Sequence, residues 1–318
     1  MLESTGGTGA PSIAAWGTIY GGVAAVAYTA SNICLRSVTD FDPFWVSCVK
    51  TVPTMFATAP WLLLLRQRGE RILPPTSVLV MLVGAALFGQ LAGNVAFQWS
   101  LGVIGIALTV PICIGTVIIA SAVLGQIYLN ERITKMTVAA LIALILAIWI
   151  LTIGARTTGD LRPQAGGTTS WLVTFALAAA CLAGVAFAVL GLAIRHTVMG
   201  RAGIAATTFC VATVGFVSLA PAAMARTGGA QLIETPYPEF LMMVLAGVFN
   251  MIAFLALARA MQITTLVNVN ALNASQVAMA SLAGVLFFHE QPSSALLLGI
   301  GLTIGGLLLM PRQSRISG

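Results

Sequence analysis

Two long apolar runs joined by a short polar knuckle fill residues 104–154, and the same design returns over residues 264–310. The first knuckle reads Leu129-Asn130-Glu131-Arg132, with Pro111 early in the run before it. The second reads Phe288-His289-Glu290-Gln291, so Glu131 and Glu290 hold the same place in the two halves. About 20 apolar residues suffice for a helix to cross a bilayer. Each run approaches or exceeds that length, so the chain is constrained to membrane-spanning helices arranged as an internal repeat.

Composition agrees. Of 318 residues, 58% are hydrophobic and 8% charged, with mean hydropathy +0.99, whereas soluble domains carry about 25% charged residues. The expected class is an all-α polytopic membrane protein. Met1–Pro11 has no basic stretch, and the first apolar run outlasts a signal peptide, so no cleavable leader is expected. Cys34, Cys48, Cys113, Cys181 and Cys210 lie in or at the ends of apolar runs without C-x-x-C spacing. Disulfides and zinc are therefore not expected. The formal charge of +6 is read as a determinant of membrane orientation rather than as a nucleic-acid surface.

Hydropathy separates ten spans, at about 13–36, 42–65, 76–100, 103–129, 136–155, 169–195, 202–224, 238–261, 264–288 and 293–310. The longest polar connection, 156–168, falls between two groups of five. It divides the chain into a five-helix repeat at 1–155, an outer linker, and a second repeat at 169–318. Lysine and arginine in the connections give orientation. With the N-terminus inside, Arg66, Arg68, Arg71, Arg132, Lys135, Arg195, Arg201, Arg312 and Arg315 face the cytoplasm. Only Arg36, Arg156, Arg162 and Arg226 face outward, so both termini are expected to be cytoplasmic. Five is odd, so the second half enters the membrane inverted, placing Glu131 at the inner face and Glu290 at the outer. Inverted repeats suit solute carriers, because two similar halves can exchange conformations across the bilayer.

This layout resembles the drug/metabolite transporter superfamily, in particular its EamA-like bacterial members. The likeness rests on Pro111 in the fourth span, Glu131 after it, Glu290 after the ninth and a basic residue, Lys50, in the second. It implies a multi-pass protein of the bacterial inner membrane that exports amino acids or related small solutes. Uptake of a sugar or phosphorylated compound is the alternative substrate class.

Lys50 is the sharpest chemical signal. It lies about two turns from the outer end of its span at 1.5 Å rise per residue, and an ionisable group at that depth suggests function. It would receive a substrate carboxylate or phosphate as a compact point charge; the competing reading is a stem that snorkels to the headgroups. Tyr28, Thr29 and Asn32 share its layer. Gln90, Asn94 and Gln98 recur at steps of four and form one polar stripe on a helix. Asn250 lies mid-span, and Asn270 with Asn273 share a face of the ninth span. Any one amide can be interhelical glue, worth about 0.6 kcal/mol; a set drawn from several spans predicts a polar path. Gln90 and Asn250 would sit at its centre, the Lys50 group outside them, and Asn270 and Asn273 inside. Trp16, Trp45, Trp61 and Trp171 read as interfacial anchors, and Arg259 as a snorkelling one.

No carboxylate or histidine falls at a span centre, so a facilitator or exchanger is expected over a carrier with a proton relay. No residue cluster has metal-ligand spacing and no nucleophile stands beside an intramembrane base. A membrane-embedded enzyme and a cofactor are therefore not expected, and a receptor lacks an extramembrane domain to signal through. The expected partners are a small-molecule substrate and the lipid bilayer. The Gly301/Gly305 pair has the spacing of a helix contact and leaves a homodimer open.

Overall fold

The computed structural model describes residues 13–69, 74–129, 170–199, 202–229, 234–263, 275–290 and 294–308, with isolated helical positions between 138 and 150 and at Val269. The helices are α1 (Ile13–Arg36), α2 (Pro43–Gln67), α3 (Thr76–Phe88), α4 (Val95–Ile104), α5 (Ile106–Leu129) and α6 (Ser170–Val198). They are followed by α7 (Ile204–Thr227), α8 (Tyr237–Ile263), α9 (Gln276–Phe288) and α10 (Ser294–Leu308). A π-helical turn, Gly89–Asn94, joins α3 to α4 into one rod. No strand occurs among the described residues.

Seven of these rods are long and apolar enough to cross a membrane: Trp16–Arg36, Pro43–Gln67, Thr76–Ile104, Ile106–Tyr128, Trp171–Val198, Ile204–Thr227 and Tyr237–Ile263. They fall on the expected spans one to four and six to eight. The described parts of the ninth and tenth are 13 and 15 residues long. Most of the expected fifth span, the linker, Glu131, Asn270 and Asn273 lie outside the described residues. Large apolar side chains such as Phe56, Leu63, Val80, Val217 and Leu286 point outward, as helices bathed in hydrocarbon permit. Trp16, Trp61 and Trp171 are exposed. Trp45 departs from its expected role. It is 8% exposed, and its indole Nε1 donates to Thr235 Oγ1 at 3.1 Å, so it ties α2 to the residues just before α8.

Helix ends are written in the sequence. Asp42 caps α2 by accepting from the backbone N–H of Phe44 and Trp45, ahead of Pro43 in the first turn. Gly228 ends α7 in the left-handed region at φ 63°, where a residue without Cβ is favoured.

Side-chain contacts fix the helix directions. Arg36 ends α1 and meets Glu290 just past α9, while Glu290 accepts from the first N–H groups of α5. So α1 and α9 arrive at this end and α5 leaves it. Asp42, at the start of α2, holds Arg226 at the end of α7, and Trp45 reaches Thr235 just before α8. So α2 and α8 leave and α7 arrives. Gln98 on α4 donates to the Leu35 carbonyl, so the α3–α4 rod arrives. At the far end Gln262, late in α8, donates to the Val198 carbonyl that ends α6; hence α6 leaves the Arg36 end. Helices holding the same place in the two halves (α1 and α6, α2 and α7, the α3–α4 rod and α8, α5 and α9) run in opposite directions.

Two apolar clusters bracket the middle. Leu35, Val38, Trp45, Leu101 and Ile106 pack towards the Arg36 end. Leu82, Leu190, Ile194, Val198 and Met261 pack towards the Val198 end. Between them α1 and α8 approach through small residues, including Ala24, Ala25, Ala246 and Ala253, and Ser31 donates to the Ala246 carbonyl at 2.9 Å. Small side chains let helix backbones approach closely in membranes.

Candidate functional site

The polar residues of the middle layer converge. Lys50 on α2 is 5% exposed, and its Nζ donates to Asn94 Oδ1 at 2.5 Å. Asn94 Nδ2 donates to Gln90 Oε1 at 2.5 Å, and Gln90 Nε2 donates to the Val211 carbonyl of α7 at 3.3 Å. This chain of bonds starts on the second helix, passes through the π turn of the third rod, and ends on α7 in the other half. Lys50 therefore turns inward and does not snorkel. A π turn inside an α-helical rod is often found at functional sites; here it carries both amides of the relay.

The relay borders a cavity of about 150 Å³. Lys50, Tyr28, Asn32, Gln90, Asn94 and Asn250 all line it. So does Gln276, the first residue of α9, whose Oε1 accepts from Asn32 Nδ2 at 3.4 Å. Phe97, Phe187 and Phe254 line it among aliphatic side chains, and among the described residues no aspartate or glutamate does. A single lysine faced by neutral amides makes the cavity complementary to an anion or to the carboxylate of a zwitterion. An ammonium carries three N–H donors, and Asn94 takes one of them.

Several sequence expectations fall differently. Gln98 lies one turn beyond Asn94 on α4, at the Leu35 end, and does not line the cavity. Its Nε2 bonds the Leu35 carbonyl, and its Oε1 has no partner among the described residues. Asn270 and Asn273, the expected inner group, lie outside the described residues. Two residues escaped sequence reasoning. Gln276 stands three residues after Asn273 in the sequence, and that helical spacing was its signal. Arg36 counted only as a loop charge. It is in fact largely buried, with its Nε 3.1 Å from Glu290 Oε1.

The cavity runs lengthwise. At one end it reaches Leu35, next to Arg36, and at the other Ile194 and Met261 in the last two turns of α6 and α8. Arg259 there is exposed and donates to Gln262 Oε1 at 2.6 Å. Among the described residues no group of three or more His, Cys, Asp or Glu could hold a metal ion.

A helical membrane protein with a cavity between two halves, mostly apolar but crossed by a lysine and several amides, is the class this geometry defines. The family model described as the EamA-like transporter family matches residues 15–153 and 174–311. The chain belongs to that family, part of the drug/metabolite transporter superfamily, and carries its repeat twice. No match is found among curated proteins. A solved structure described only as "Crystal structure of protein" aligns with TM-score 0.60 at 18% identity, covering 92% of this chain and 95% of that chain. At that identity the likeness concerns the fold alone.

Proposed function

We propose that this chain is a secondary transporter that exports or exchanges a small metabolite bearing a carboxylate, such as an amino acid, by alternating access of two inverted five-helix repeats. The observation that carries the substrate side is the buried Lys50–Asn94–Gln90 relay on a cavity that no acidic side chain among the described residues lines. Lys50 supplies the charge, the amides of Asn32, Asn94, Gln276 and Asn250 supply hydrogen bonds, and Phe97, Phe187 and Phe254 receive the apolar part. Asn270 and Asn273 complete the inner side of the path. The opposed directions of corresponding helices support the inverted reading, with a fifth span at 136–155 bringing the total to ten. The lysine and arginine distribution supports cytoplasmic termini in a bacterial inner membrane, so the Arg36 end faces outward. In this reading the chain works without cofactor and is not an enzyme.

The test uses purified protein and a library of amino acids, other carboxylates, sugars and sugar phosphates. A ligand that binds only the folded state raises the melting temperature, and its transport is then measured in proteoliposomes. A shift by a carboxylated solute followed by its counterflow supports the proposal. A response confined to neutral sugars overturns the role of Lys50.

A further inference from the structure

Glu290 belongs to no part of the substrate site, yet its surroundings are built around its carboxylate. Oε1 accepts from the Ile106 N–H at 3.0 Å and Oε2 from the Ala107 N–H at 2.9 Å, the first two residues of α5. Oε1 also pairs with Arg36 Nε at 3.1 Å, and both side chains are largely buried. The Arg36 guanidinium lies 5.6 Å from the centroid of the Phe288 ring and donates again to Thr39 Oγ1. One carboxylate thus ties together α1, α5 and α9.

Two local features aim it there. His289, at φ 53°, is the only non-glycine residue with positive φ among the described residues. A left-handed residue at this point turns the chain back so that the Glu290 N–H bonds the Gly284 carbonyl at 3.0 Å. Gly105 sits at φ 75°, and a Cβ there or at Gly284 would run into the carboxylate. A conformation of this kind persists only where its surroundings enforce it, and such positions cluster at switches and clamps.

The position gives the knot its consequence. The cavity ends at Leu35 on one side of Arg36, and Val38, Leu101 and Ile106 fill the space beyond with no exposure. The cavity lining otherwise continues to the opposite end, at Ile194 and Met261. We infer that Arg36, Glu290 and the first turn of α5 form a latch that holds the Arg36 end shut, and that opening this end requires the ion pair and the two backbone bonds to break together. The inference rests on the transport reading for its purpose, since only a carrier needs that end to open. It concerns positioning residues, because neither side chain lines the cavity.

The experiment reads conformation without solute. Val110 lines the cavity one turn into α5 and is fully buried. Val110→Cys is placed on a background in which the native cysteines are replaced, and a membrane-impermeant maleimide is applied from the Arg36 side of sealed vesicles. The parent should label slowly from that side. Glu290→Gln, which removes the charge and one of the two acceptors, should raise the labelling rate several-fold. Arg36→Met should raise it less, because Glu290 keeps its bonds to α5, and Arg36→Lys should stay near the parent. Unchanged labelling in both Glu290→Gln and Arg36→Met, with melting temperatures near the parent, overturns the latch, as does fast labelling of the parent. If Glu290→Gln does not fold, the ordering of Arg36→Met above Arg36→Lys decides. Faster labelling in a protein that moves no solute would sink the transport reading and leave the latch standing.

Discussion

A lysine buried in a membrane helix needs a partner, and Lys50 has a neutral one. Asn94 Oδ1 accepts one of its protons, but among the described residues no carboxylate on the cavity cancels its charge. Its charge is thus left for a ligand to neutralise. Lys50→Met keeps length and apolar character while removing the charge, so affinity for a carboxylated substrate should fall. A hydrogen bond to a charged group is worth about 1.5–3 kcal/mol, which corresponds to roughly ten- to a hundredfold weaker binding. Calorimetric titration of the variant measures it, and undiminished affinity would remove Lys50 from the site. Asn250 is half-buried and lines the same cavity from α8. Asn250→Ala should therefore weaken binding with little change in melting temperature. Gln90→Ala is expected to differ. It leaves the Asn94 amide without its acceptor, and an unsatisfied buried donor costs about 1–3 kcal/mol of stability. Thermal unfolding of the two variants side by side should separate them. At this scale the sequence was a good guide to polar residues that water-free surroundings would not tolerate alone. It was a poor guide to Arg36 and Trp45, whose positions near span ends look interfacial until the neighbouring chain is known.

Single helices carry information that residue types do not. The spacing of Gln90, Asn94 and Gln98 reads as one stripe under 3.6 residues per turn, and nothing in the letters announces the π turn at Gly89–Asn94. That turn holds Gln90 and Asn94, which both line the cavity, while Gln98, one turn further along, bonds the Leu35 carbonyl. The facing helix must come close for Gln90 to reach the Val211 carbonyl, and Gly215 on α7 permits it. A Cβ built at Gly215 lies 2.8 Å from the Gln90 amide and from Thr51 Cγ2. Gly215→Ala should push α7 and the relay apart, lowering stability by about 1–3 kcal/mol, as overpacking does. It should also weaken substrate binding, since Gln90 then shifts. Normal affinity together with normal stability in Gly215→Ala would show that the relay tolerates the displacement and does not depend on close approach. Helix existence was far more legible than this. Seven long apolar rods fall where hydropathy put them, because a run of about 20 apolar residues has few other solutions in a bilayer.

At the scale of the molecule, the repeat was visible as the recurrence of Glu131 and Glu290 after matching apolar runs, and the family match over residues 15–153 and 174–311 follows the same division. Inversion was an inference from the odd number of spans per half. The hydrogen bonds at the two ends give it a separate footing, because they orient α2 away from the Arg36 end and α7 towards it. That pair supplies the sharpest topological test. Arg68 follows α2, and Glu234 lies between α7 and α8; both are exposed. They occupy matching places in the two halves, so a parallel repeat would put them on the same side of the membrane and an inverted one on opposite sides. On a background without native cysteines, Arg68→Cys should react with an impermeant reagent only from the cytoplasm. Glu234→Cys should react only from outside. The charge distribution sets which side is which: Arg66 and Arg68 lie at one end of α2, and basic residues favour the cytoplasmic face. Reaction on opposite sides but with the two sides exchanged would keep the inverted architecture and reverse the orientation. The latch at Arg36 and Glu290 would then close the cytoplasmic end. Reaction of both positions from one side would end the inverted reading, and with it the exchange of two half-structures that makes alternating access possible.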